Sequence, residues 1–202
     1  MIRRPPRSTQ GVSSAASDVY KRQGAYTTSK IETVDADGRA VSTTHQGGIY
    51  LGVPAVGEDR PDTSAPPIPE LGVVPEEPLA EVLVSVAHGA AHTYTESARI
   101  WNPIHTDASV ADAAGLPAII LHGTATLALG VSAVVEKVAG GDPAQVRRIR
   151  GRMASMVLMP STIKVRVMDT TTVDEHEVVR FQVLTEEGGP AIDQGLLFLD
   201  RS

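Results

Sequence analysis

The chain has 202 residues, a net charge of −6 at pH 7, 42% hydrophobic and 21% charged residues, and no cysteine. Disulfides and thiolate metal sites are therefore excluded, and no apolar run approaches the ~20 residues of a membrane-spanning helix. Residues 1–23 contribute +4 (Arg3, Arg4, Arg7, Lys21 and Arg22 against Asp18), so the remainder carries −10, which argues against non-specific nucleic-acid binding.

Residues 1–23, MIRRPPRSTQGVSSAASDVYKRQ, lack the apolar stretch of ~7–15 residues that a secretory signal needs. The string resembles a translated sequencing adapter and reads as a non-native or disordered segment, so the natural N-terminus is expected to be missing. From residue 24 to 56 the character changes. Ala25 to Val34 and Arg39 to Leu51 flank Asp35-Ala36-Asp37-Gly38, the pattern of a β-hairpin with Gly at a turn position. A lone hairpin is marginal in water, which suggests the remnant of a larger domain. Residues 57–79 hold six prolines among polar residues and read as an extended linker.

The main domain is expected over residues 80–202. Glu81 to Tyr94 reads as a strand, with Val82, Val84 and Val86 in alternation and Gly89 as a bend. His88 and His92 have an i, i+4 spacing that binds metal only on a helix, so no metal site is expected in a strand. Asp107 can cap a short helix from Ala108 to Ala114, closed by Gly115. The run from Gly123 to Val138 is a helix with apolar or small residues on nearly every side, which predicts burial. Strands follow over Val146 to Leu158, Ile163 to Thr170, Glu177 to Thr185 and Ala191 to Asp200. A helix followed by a strand meander is an α+β pattern, the helix packed on an antiparallel sheet.

The chemistry gathers between Tyr94 and Gly123. Asn102 and His105 flank a Pro-fixed turn ahead of the short helix, and His122-Gly123 opens the long one. A fixed histidine suits acid/base work near neutral pH, and the free N–H groups of a helix N-terminus suit a carbonyl or an anion. Trp101-Asn102-Pro103-Ile104-His105, followed by Ala111, Gly115 and His122-Gly123, is similar to the hydratase motif of MaoC-like dehydratases, the (R)-specific enoyl-CoA hydratases of the hotdog fold. The family pattern is Gly-Asp-x-Asn-Pro-(Ile/Leu/Val)-His, with a His-Gly pair downstream. Arg99 stands at its Gly and Ile100 at its Asp.

The resemblance implies a hotdog fold, an antiparallel sheet wrapped around a long central helix, preceded by the remnant of another hotdog half. It implies reversible addition of water to a trans-2-enoyl thioester, giving a 3-hydroxyacyl thioester. His105 would be the acid/base, Asn102 an orienting group, and Gly123 with His122 part of the thioester site. Glu96 and Asp107 are the acids nearest in sequence to stand in for the absent Asp, although Asp107 reads first as the helix cap. No metal or redox cofactor is needed; coenzyme A enters as part of the substrate. Arg148, Arg150 and Arg152 alternate along one strand and share a face, either a solvated one or a dock for coenzyme A phosphates. Trp101 is expected to pack over the site. Other readings are a non-catalytic acyl-thioester-binding half that supports a catalytic partner, and a thioesterase on the same fold. A homodimer or two-hotdog pseudo-dimer, no nucleic acid, no membrane and a cytoplasmic location complete the expectations.

Overall fold

The computed structural model describes residues 24–54, 58 and 63–200, which leaves the expectation for residues 1–23 outside the described residues. The chain divides into two compact units at Ile68/Pro69. In the first, β1 (Gly24–Val34) and β2 (Ala40–Leu51) form the expected antiparallel hairpin, in register from Gly24 opposite Leu51 to Val34 opposite Ala40. Its turn is closed by Asp35 Oδ1, which accepts from Asp37 N at 2.9 Å and Arg39 N at 2.8 Å. Gly38 takes a positive φ of 79°, a conformation that glycine adopts without steric cost.

The second unit begins with β3 (Ala80–Val86) and α1 (Ala90–Ala98). A 3₁₀ turn (Pro103–His105), α2 (Ala108–Ala113) and α3 (Gly123–Val138) follow. The chain then runs through β4 (Val146–Met153), β5 (Ser161–Val173), β6 (His176–Leu184) and β7 (Pro190–Asp200). The five strands make one antiparallel sheet in the order β3-β5-β6-β7-β4. It wraps around α3 as a hotdog fold: Val134 and Val135 of the helix share a core with Val165, Phe181 and Leu197 of the sheet. Gly130 permits this approach, since a Cβ there would lie 2.6 Å from Val183 Cγ2. The helix is not buried all round, because Thr124, Ala128, Ser132 and Glu136, spaced by four, form one exposed stripe.

Two of the expected strands are shorter than the sequence pattern implies. The strand expected over Glu81 to Tyr94 ends at Val86, where the apolar alternation ends; beyond Gly89 the run Ala-Ala-His-Thr-Tyr-Thr-Glu-Ser-Ala folds as α1. Ala91 and Thr95, four apart, are its buried side. The strand expected over Val146 to Leu158 stops at Met153, and Leu158 makes only an isolated bridge to Ile120.

The linker expected over residues 57–79 is also divided, since its last eleven residues, from Pro69 to Leu79, belong to the second unit. Leu71 packs on Val178, Leu196 and Phe198, on the sheet face turned away from α3. Arg180, 9% exposed, holds this segment down: Nη1 donates to Gly72 O and Nη2 to Val73 O, each at 3.0 Å, while Nε donates to Asp169 Oδ1 at 2.6 Å. Nη2 also pairs with Asp169 Oδ2. Leu79 N donates to Val167 O at 2.8 Å and carries the segment into β3.

Candidate active site

The turn that carries His105 is built by its neighbours. Asn102 sits in extended conformation and its side chain accepts from Ile104 N at 3.4 Å, while Pro103 occupies the first turn position. Asp107 then caps α2, its Oδ1 accepting from Ser109 N at 2.8 Å, Ser109 Oγ at 2.7 Å and Val110 N at 3.3 Å. The Ser109 hydroxyl, then the backbone bonds of Val110 and Ser109, hold its carboxyl below the usual range. Its Oδ1 is thus occupied as a cap acceptor. From α1, His92 Nε2 donates to Thr106 O at 3.2 Å and ties the helix to the turn. His88 lies before α1, and among the described residues no three His, Cys, Asp or Glu side chains gather as a metal site.

His105 is held on two sides. Its Nδ1 lies 2.7 Å from Ile120 O. A carbonyl only accepts, so Nδ1 carries a hydrogen, and in the neutral ring Nε2 is the basic nitrogen. Its ring stacks on His122, with centroids 3.7 Å apart and planes at 23°. His122 is 2% exposed, and its Nε2 lies 3.3 Å from both Ile100 O and Thr95 Oγ1. The same rule places its hydrogen on Nε2, and Nδ1 is left buried without a partner. Tyr94 also packs against the His122 ring, tilted by 52° with 5.0 Å between centroids.

Burial, then the neighbouring His105, lower the proton affinity of His122, against an opposing effect of the Ile100 carbonyl. The folded protein thus keeps His122 neutral at a pH where the unfolded chain binds a proton. The resulting stability is fully present above the ordinary imidazole range near 6.5 and declines as pH falls below it, by at most about 1.4 kcal/mol per pH unit. Thermal unfolding from pH 8 to pH 5 is expected to fall more steeply for the unaltered protein than for His122→Phe. Parallel curves would show that His122 takes no part.

His122 is also the N-cap of α3 and gives the helix no side-chain bond, so the first-turn N–H groups are left for another acceptor. Gly123 stands at that mouth, and a Cβ on it would lie 2.4 Å from Met153 Sδ. Ile100, 39% exposed, follows Arg99, whose φ of 54° ends α1 in the left-handed region. The backbone of Ile100 serves the site through its carbonyl. Trp101 is 64% exposed, contrary to the expected packing role.

The three arginines do not join this constellation. Arg148 and Arg150 pair across β4/β7 with Phe198 and Leu196, on the side turned away from α3, whereas Ile149 and Met153 pair with Leu197 and Ile192 on the α3 side. Arg148 lies 4.8 Å over the Phe198 ring, Arg150 Nη1 donates to Gln194 O at 3.2 Å, and Arg152 bonds Asp193 Oδ2 at 2.6 Å. Burial, then repulsion from Arg148 and Arg152, lowers the pKa of Arg150, with Asp193 opposing.

A family model described as a MaoC like domain matches residues 72–188. The chain belongs to this family. The chain is similar to the enoyl-CoA hydratase 2, peroxisomal, of Arabidopsis thaliana, 40% identical over 63 residues that make 31% of this chain and 20% of the relative. It is also similar to the peroxisomal multifunctional enzyme type 2 of Drosophila melanogaster, 26% identical over 87% of this chain and 28% of the relative. The solved full-length Drosophila enzyme superposes with a TM-score of 0.73 over 88% of this chain and 31% of its own. A MaoC-like dehydratase from Phytophthora capsici gives the same score at 23% identity, over 89% of this chain and 58% of its own, and supports the fold. The chain thus spans less than a third of the curated relatives it matches.

Among the described residues no helix is long and apolar enough to cross a membrane. Residues that the sequence did not single out complete the site: Thr95, the carbonyls of Ile100 and Ile120, and Met153. Tyr94 ends the strand expected from Glu81, and Thr95 lies just beyond it; both stand on α1. Backbone carbonyls carry no sequence signal at all.

Proposed function

We propose that the MaoC-like domain hydrates trans-2-enoyl thioesters of coenzyme A, and dehydrates 3-hydroxyacyl thioesters in reverse. The observation that carries this reading is His105, which is fixed by the Ile120 carbonyl and stacked at the mouth of α3 with its basic Nε2 turned from that bond. The thioester oxygen accepts from Gly123 N–H and the other first-turn groups, where the helix dipole stabilises developing negative charge. As the oxygen of water bonds to C3, His105 Nε2 takes its proton and the charge moves to the thioester oxygen. The imidazolium then returns the proton to C2, which gives the 3-hydroxyacyl thioester and the starting ring. Asn102 keeps the turn in place and Glu96 stands on the exposed side of α1.

The reaction consumes only water and the thioester, so no metal or redox cofactor enters the proposal, and neither do the arginines beyond a role in holding the carrier. Pairing with a second hotdog, in the same chain or as a dimer, and a cytoplasmic location belong to the same proposal; the peroxisomal names belong to the relatives. Ile100 favours a second reading, a thioester-binding half without turnover, since loss of one acid/base group costs ~10²–10⁴-fold.

Crotonyl-CoA tests both. Loss of the enoyl chromophore without free thiol is the expected result and excludes a thioesterase. Ile100→Asp is expected to raise the rate by about ten-fold or more, because a carboxylate would share the proton transfer. Turnover only in Ile100→Asp would establish the binding-half reading.

A further inference from the structure

The thioether of Met153 occupies the mouth of α3. β4 carries it on the side facing the helix, opposite Ile192. The place a Cβ would take at Gly123 lies 2.4 Å from its Sδ, 3.1 Å from Cγ and 3.4 Å from Cε. Cβ positions tilt toward a helix N-terminus, the direction in which the first-turn N–H groups also point. The side chain therefore lies against Gly123 on the very side where those donors open. It is nonetheless 52% exposed, so one flank rests on Gly123 and the other is free to meet a ligand.

Resting on the hydratase reading, we propose that Met153 is the wall of the thioester subsite beside C2 of the acyl group, and that it selects against thioesters branched at C2. A thioester carbonyl carbon has three substituents. With its oxygen on the Gly123 N–H, the sulfur and C2 are what lie alongside the corner formed by Gly123 and Met153. The sulfur is common to every substrate, whereas C2 varies. Methionine offers this corner an apolar, polarizable and adaptable surface with no strong hydrogen-bonding group, so selection works by volume. One methyl group in such a pocket changes discrimination by about 10–200-fold. Glycine at 123 and methionine at 153 thus act together: the first lets a carbonyl approach the helix, and the second limits what that carbonyl can carry.

The test compares the affinities of isobutyryl-CoA and butyryl-CoA, saturated thioesters that differ in branching at C2 and cannot be hydrated. Calorimetric titration is expected to show the isobutyryl-to-butyryl affinity ratio rising about ten-fold in Met153→Ala. Met153→Leu, close in volume, should leave the ratio within roughly two-fold. Hydration of crotonyl-CoA against 2-methylcrotonyl-CoA should shift in the same direction. An unchanged ratio in a Met153→Ala protein that still binds butyryl-CoA overturns the assignment, as does failure of the unaltered chain to bind either thioester. Absence of hydration alone overturns the enzymatic reading, while the affinity ratio still decides the role of Met153.

Discussion

Replacing His105 with alanine is expected to lower the hydration rate by about 10²–10⁴-fold while leaving the fold in place. The ring gives the structure one hydrogen bond, Nδ1 to Ile120 O at 2.7 Å, and one stacked face against His122. A hydrogen bond of that kind contributes about 0.5–1.5 kcal/mol, so thermal unfolding should move by only a few degrees. The two readouts must separate: a large loss of rate at a small loss of stability. His105→Gln, which can keep a polar contact but has no basic ring nitrogen, should behave like the alanine variant in rate. A rate within two-fold of the unaltered protein, roughly the scatter of such assays on a scale where general acid/base groups matter by powers of ten, would remove His105 from the chemistry.

Arg180→Ala is expected to do the reverse. This guanidinium is nearly buried, pairs with Asp169, and donates to the carbonyls of Gly72 and Val73. Its removal leaves a partly buried carboxylate and two carbonyls without their donor. Breaking one side of a buried pair costs about 3–5 kcal/mol, so Tm should fall by roughly 10 °C. The bond to Asp169 also raises the pKa of Arg180, which keeps the guanidinium charged near neutral pH. The strap it secures lies on the sheet face turned away from α3. Hydration measured well below the unfolding transition should therefore be nearly unchanged. A Tm shift below about 1 °C would show that the segment from Pro69 to Leu79 is held by Leu71 and the backbone instead.

The fold was legible where a pattern has one physical meaning. The apolar run after His122 reads as a packed helix and the last three runs of the chain as strands, and the structure has α3 and β5 to β7 there, with β6 and β7 buried on both faces. The turn from Asn102 to His105 was legible because proline and an Asx side chain leave few conformations open. Misreadings arose where short signals compete. Gly89 suits a strand bend and a helix cap equally, and three alternating valines before it outweighed the helical composition after it. Trp101 was given a packing role from its size, yet a large apolar residue beside a turn is free to stay on the surface.

The arginine row was placed on one face correctly by the period of two, but periodicity cannot say which face meets the helix. The cross-strand partners Phe198 and Leu196 answer that. Ile120 and Ile100 serve through carbonyl oxygens, which every residue has, so no side-chain pattern could have marked them. The stacking of His105 on His122 joins residues 17 apart in the chain. It exists because the fold brings the 3₁₀ turn that ends in His105 back against the segment leading into α3, where His105 Nδ1 bonds Ile120 O.

The most direct measurement is the fate of crotonyl-CoA with the unaltered chain, its product separated by configuration. The account predicts conversion to (R)-3-hydroxybutyryl-CoA, with no free thiol and no added metal required. Crotonyl-CoA left unconverted by a protein shown to bind it, or converted to free coenzyme A, would contradict the proposed hydratase.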